Sequence, residues 1–194
     1  MIIKKEIPFA ELDINMQEAF RYAGVKGEAD ENLCKLYSKA YKILAEYAKP
    51  KAVYTPVNLQ YTENGVIIEG EKIESLGLKK FLKGDTDIAL MAATAGIEAD
   101  RLINRYSMVE PSLALMLDAL SAAAVEALCN KLCNGCFGVE EQRRFSPGYG
   151  DFPIEYQKRI TEILNTPLNI GVTLTNSMML TPSKSVTAVV PIKG

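Results

Sequence analysis

The 194-residue sequence predicts an α+β fold, a mostly antiparallel sheet packed on a long buried helix. Three observations lead there. Apolar residues recur at helical spacing in several segments. The β-rich runs sit in pairs around turn signals and do not alternate one by one with helices. One stretch, 111–129, is apolar almost throughout.

In chain order, residues 2–8 read as a short strand, and 13–23 and 29–48 as helices. The second helix carries Leu33, Leu36, Tyr37, Ala40, Leu44 and Tyr47 on one face. Extended runs at 53–61 and 66–68 flank Asn64-Gly65, a hairpin signal. A short helix near 74–83 stops at Gly84. "DTDIALMAATAG" (85–96) is a buried strand and "IEADRLINRYSM" a helix. A long helix follows Pro111, with Cys129 and Cys133 on it and Cys136 beyond it, after Asn134-Gly135. A short strand is expected near 140–145, then a helix from Pro153 to about 165 with Asp151 as its cap. The tail 171–191 holds two β-rich runs whose junction, Thr181-Pro182-Ser183-Lys184, suggests a hairpin. One domain is expected over 1–194, with helices and a hairpin in 1–84 and the candidate ligand-binding part in 85–194.

Composition removes whole classes of function. Hydrophobic residues make up 48% and charged residues 24%, ordinary for a globular chain. The net charge is −2 and there is no basic tract, so counterion-releasing contact with nucleic acid is not expected. The N-terminus has no apolar signal core. The richest apolar run is broken by Asp118, Ser121 and Glu126, so no membrane association is expected either. A cytoplasmic protein is the expectation. There is no histidine, which rules out a Ser-His-Asp triad, a Cys-His nucleophile pair and histidine-containing zinc sites.

"RFSPGYGDFP" (144–153) carries the most chemical information. Pro147-Gly148 makes a turn, and Gly148 and Gly150 let backbone approach a ligand closely. Loop amides, a helix N-terminus and Arg144 suit a carboxylate, and Tyr149 suits a flat ring. The same pattern also fits a plain connector with a solvated arginine.

This loop resembles the Arg-x-x-Pro-Gly-Tyr segment of the reactivation (AdoMet-binding) domain of cobalamin-dependent methionine synthase. "ALSAAAVEALCNKL" (119–132) resembles that family's alanine-rich helix, whose glutamate matches Glu126. "LTNSMMLTPSKSVTAVV" (174–190) resembles its C-terminal hairpin. The three segments stand in the family's order over roughly 111–191. The resemblance implies an S-adenosylmethionine (AdoMet) site lined by Glu126, Arg144, Ser146, Gly148 and Tyr149. It also implies an accessory part of a methyltransferase, supporting reductive methylation of cob(II)alamin. The cobalamin would be supplied by a partner, a corrinoid-binding methionine synthase or related corrinoid protein. A flavodoxin-like protein would be the electron donor. The sequence ends at Gly194, soon after the hairpin, without the family's further C-terminal segment and its aromatic AdoMet contact. That departure favours an alternative, a non-catalytic docking or regulatory module for a corrinoid protein.

The residues themselves leave two more readings open. Glu126, one of three polar residues in a run that otherwise reads as buried helix, has a ligand cation or a salt bridge to Arg143 or Arg144 as its partner, or else faces solvent. "CNKLCNGC" (129–136) has the C-x3-C-x2-C spacing of a radical AdoMet cluster site, so an iron–sulfur redox protein using Cys129, Cys133 and Cys136 is a further alternative. Small cysteines on an apolar helix also serve as core packing.

Overall fold

The computed structural model describes residues 1–140 and 143–193. β1 (Ile3–Glu6) leads through a turn of 3-10 helix to α1 (Met16–Tyr22), whose first amides, Gln17 and Glu18, donate to the Asn15 side chain. Asp30 caps α2 (Glu31–Tyr47) in the same way. β2 (Lys51–Val57) follows, then a small meander of β3 (Leu59–Tyr61), β4 (Val66–Ile68) and β5 (Glu71–Ile73). Next come α3 (Leu76–Leu82), β6 (Ile88–Thr94), α4 (Ile97–Ser107) and the long α5 (Pro111–Cys136). The chain finishes with α6 (Tyr156–Leu164), α7 (Thr166–Ile170), β7 (Thr173–Leu174), β8 (Leu180–Thr181) and β9 (Ser185–Pro191).

The main sheet has the order β1-β2-β6-β9 and is antiparallel throughout. All seven residues of β6 are buried, because both faces of the sheet are covered. Side-chain alternation sorts them. Tyr54, Met91 and Ala188 share a register row and face the core built with α1, α2, α4 and α5. Val53, Ile88, Leu90 and Val189 face the other core, built with α3, α6, α7 and the meander. Alanines at 52, 89, 93 and 188 keep the first face flat enough for α5 to lie on it.

By length and composition α5 matches a bilayer-crossing helix, with a mean hydropathy of 1.7 in its most apolar window. Of that window 72% is buried inside the protein, so its apolar surface is already covered. Cys129 and Cys133 are 0% exposed in this packing. Burial pushes the Cys129 thiol up to about 12, against the opposing pull of Arg144. The helix also continues through Gly135 and includes Cys136, which the sequence placed beyond it. Cys136 reaches Tyr54, whose hydroxyl is raised to about 12 by burial and then by this contact. Among the described residues no three His, Cys, Asp or Glu side chains are grouped to hold a metal. Cys129 and Cys133 thus sit in the core, and Cys136 abuts the Tyr54–Phe137 ring pair.

Three local expectations change. The tail hairpin is β7–β8, closed by residues 175–179, and β9 leaves to pair with β6. Its connector is tied down instead, Ser183 donating to Asp100 of α4 at 2.8 Å and Lys184 pairing with Asp118 of α5 at 2.9 Å. Of the strand expected over 140–145, residues 141 and 142 lie outside the described residues. The described remainder forms one bridge, Phe145 with Val189. The Asn64-Gly65 hairpin forms as expected, but not through a left-handed glycine. Gly65 is needed for closeness: a Cβ there would stand 2.0 Å from the Ile73 carbonyl oxygen.

Gly65→Ala should accordingly destabilise the fold by about 1–3 kcal/mol in urea unfolding, as overpacking against fixed backbone does. The Ser121 hydroxyl on α5 is buried with no hydrogen-bond partner among the described residues. Ser121→Ala should raise stability by about 1 kcal/mol in the same assay, since it removes an unmet polar group. Under native conditions at pH 8, alkylation with mass detection should modify the part-exposed Cys34 and Cys136 and spare Cys129 and Cys133 until denaturant is added.

Candidate functional site

The site begins with a backbone bridge. Phe145 donates to the Val189 carbonyl and Val189 donates to that of Phe145, both at 2.9 Å. The Phe145 ring turns to one side of this bridge, 5.2 Å from Phe81 and 6.1 Å from Phe152 between ring centres. Its neighbours Arg144 and Ser146 therefore point the other way. Arg144 reaches α5, where Glu126 and Asn130 are four residues apart and so share a face. One guanidinium serves both: it donates to the Asn130 amide oxygen at 2.8 Å and pairs with the Glu126 carboxylate. The Arg144 side chain is 9% exposed and that of Glu126 is 31%. Burial disfavours the arginine charge, but Cys129, Glu126 and Cys133 together more than offset it, so Arg144 is held above its ordinary value.

The loop after Arg144 is shaped by short hydrogen bonds, Tyr149 amide to Ser146 carbonyl at 3.2 Å and Gly148 amide to Phe152 carbonyl at 2.8 Å. Gly148 has φ +91°, and a Cβ on it would lie 3.0 Å from Ile154. Asp151 does not cap the following helix, which starts only at Tyr156. Its carboxylate instead accepts from the Ser75 hydroxyl at 2.5 Å and the Leu76 and Gly77 amides at 2.8 and 3.0 Å, at the start of α3. The Ser75 bond first, and then those amides, hold Asp151 below the usual carboxylate range. The helix N-terminus expected to hold a ligand anion thus belongs to another helix, and the loop's own aspartate satisfies it.

Between this loop, α5, α1 and the outer edge of β9 lies a groove of about 480 Å³. Glu126, Arg144, Ser146 and Tyr149 all line it. Gly148 does not reach its wall; it shapes the loop behind it. Tyr149 stands at the rim, 67% exposed. Sequence reasoning missed the opposite wall, Glu18, Arg21 and Tyr22 of α1. Glu18 and Arg21 pair at 3.1 Å, and the Arg21 guanidinium lies 4.8 Å over the Tyr22 ring. Burial, then Glu126 and Glu18, raise the Tyr22 hydroxyl. The remaining wall is Gln157 of α6, Leu180 and Ser185–Thr187. Of these, Leu180 and Ser185–Thr187 lie within the C-terminal motif at 174–190, and Gln157 carried no prior signal. Two carboxylates and two guanidiniums line the groove, so its charge is balanced but spatially resolved, an arrangement suited to a zwitterion.

No protein-family model and no curated protein matches the sequence. Among solved structures, the chain is similar to the crystal structure of the MetH reactivation domain bound to AdoHcy. The match covers 97% of this chain and 77% of that one, at 18% identity and a TM-score of 0.79. The chain has the reactivation-domain fold, the fold that its three sequence motifs implied.

Proposed function

We propose that the groove binds AdoMet and its demethylated product, S-adenosylhomocysteine (AdoHcy), and that the protein supports reductive methylation of a partner's corrinoid. One observation carries the reading: Glu126, Arg144, Ser146 and Tyr149, distant in sequence from the α1 wall, meet in one charge-balanced groove on this fold. The solved structure with that fold holds AdoHcy.

The residues have distinct tasks. Arg144 has five N–H donors, of which Asn130 and Glu126 take two, so it retains donors for an amino-acid carboxylate. Glu126, with Glu18 on the facing wall, offers negative charge to an ammonium or sulfonium. The exposed Tyr149 ring suits stacking against a flat group at the rim. In the reaction, cob(II)alamin on a methionine synthase or related corrinoid protein takes one electron from a flavodoxin-like donor and the methyl group of AdoMet, and AdoHcy is left behind. This chain contributes binding, orientation and electrostatics, as an accessory part of a methyltransferase.

Titration calorimetry with AdoHcy and AdoMet tests the first half. Wild type should bind both, and no heat at millimolar ligand would sink the proposal. Arg144→Ala should weaken binding about tenfold or more, by loss of a charge-assisted bond. Tyr149→Ala should weaken it several-fold with an unchanged melting temperature, because the ring is exposed. Methylation of a corrinoid protein's cob(II)alamin, assayed with a reduced flavodoxin, tests the second half. A chain that binds the corrinoid protein but adds no AdoMet-dependent methylation is the docking module instead.

A further inference from the structure

Gln157 lies in the groove wall at 7% exposure, and its amide is oriented by two bonds. Its nitrogen donates to the Met178 carbonyl at 2.8 Å, and its oxygen accepts from the Thr187 hydroxyl at 3.2 Å. A carbonyl can only accept, so the amide cannot be turned around without losing that bond. A glutamine carries two N–H donors and two lone pairs, so one of each lies outside these bonds. Beside it runs the outer edge of β9. Val189 directs its backbone groups off that edge to Phe145, and Thr187, two residues earlier, directs its own the same way. Among the described residues the Phe145 bridge is the only pairing on that edge. The groove wall therefore carries charged groups, at Arg144 and Glu126, and a neutral pair with fixed donors and acceptors, at Gln157 and Thr187.

We infer that Gln157 is the specificity-determining residue for the base of the ligand, reading the 6-amino edge of adenine with an amide that Met178 and Thr187 hold in one orientation. This rests on the AdoMet reading above and extends it to the opposite end of the molecule. A glutamine amide matches adenine as a donor and an acceptor side by side. On that N6/N7 edge a 6-oxo purine presents two acceptors, N7 and O6, and would set O6 against the amide oxygen. Because the amide is locked, it cannot flip to accommodate the change.

The test compares AdoHcy with S-inosylhomocysteine, which carries a 6-oxo group and an N1 proton in place of the 6-amino group and leaves N7 unchanged. Wild type should prefer AdoHcy by about tenfold or more in calorimetry, as a bidentate amide–adenine pair discriminates. Gln157→Met keeps the volume and should bring the ratio close to one, chiefly by weakening AdoHcy. Thr187→Val, which frees the amide oxygen, should lower the ratio part of the way, and it carries the test alone if the methionine variant does not melt cooperatively. A glutamine that merely supports the 175–179 turn would weaken both ligands alike, and an unchanged ratio in both variants overturns the inference. Equal binding of the two ligands by wild type overturns it too and leaves the AdoMet reading standing, whereas binding of neither removes both.

Discussion

The groove exists because β9 is an edge strand on which, among the described residues, Phe145 alone is paired. In an open sheet an edge is a row of unmet donors and acceptors that must be covered or used. Here Phe145 covers one position, Val189, with two hydrogen bonds, and the strand is left open beside Ser185–Thr187. That bridge also fixes which way the next side chains point. Phe145 goes into the aromatic cluster with Phe81 and Phe152, so Arg144 has to face α5. Without the bridge, neither the arginine nor the glycine-containing loop behind it has a defined place.

The loop is held from its far end as well. Asp151 fastens it to the first turn of α3, and a Cβ on Gly77 would stand 2.6 Å from that carboxylate. The rim of the groove is thus suspended between β9 and α3, which meet in one core through Val189, Leu78 and Leu82. The floor belongs to the other core, because Glu126 and Asn130 are on α5. The site straddles the sheet edge and takes one wall from each side. Such a placement supports a shallow, open groove and does not support an enclosed cavity.

Much of this was legible in the sequence, for physical reasons that can be named. β6 and α5 announced themselves because burial on all sides demands near-continuous apolar sequence. That Arg144, Ser146 and Tyr149 share one loop was legible because a short motif keeps local backbone requirements in a fixed order, and Glu126 stood out because it interrupts an apolar helix. The α1 wall was not, since Glu18 and Arg21 read as any exposed i,i+3 pair until the chain folds them over α5. The partner of β9 was also hidden. The turn signal at Thr181–Lys184 marks a bend, but its meaning depends on Asp100 and Asp118, which hold the bend on α4 and α5. The "CNKLCNGC" spacing misled for a related reason: spacing alone does not distinguish ligands aimed at an ion from thiols aimed at a core.

The pairing of Glu126 with Arg144 follows from that same geometry and shapes what the groove can accept. An arginine this buried without its carboxylate would leave a charge to be desolvated uncompensated, which is far costlier than the pair is stabilising. The floor must therefore hold both charges in the ligand-free protein. A simple anion would gain Arg144 only by competing with Glu126, and a simple cation would face the reverse competition. A ligand with both charges on one carbon avoids either loss, because its carboxylate and ammonium approach the two ends of a dipole that is already fixed. The proposed preference for an amino-acid zwitterion thus follows from the preformed ion pair. Selection among the ligands that carry one has to be made elsewhere in the groove.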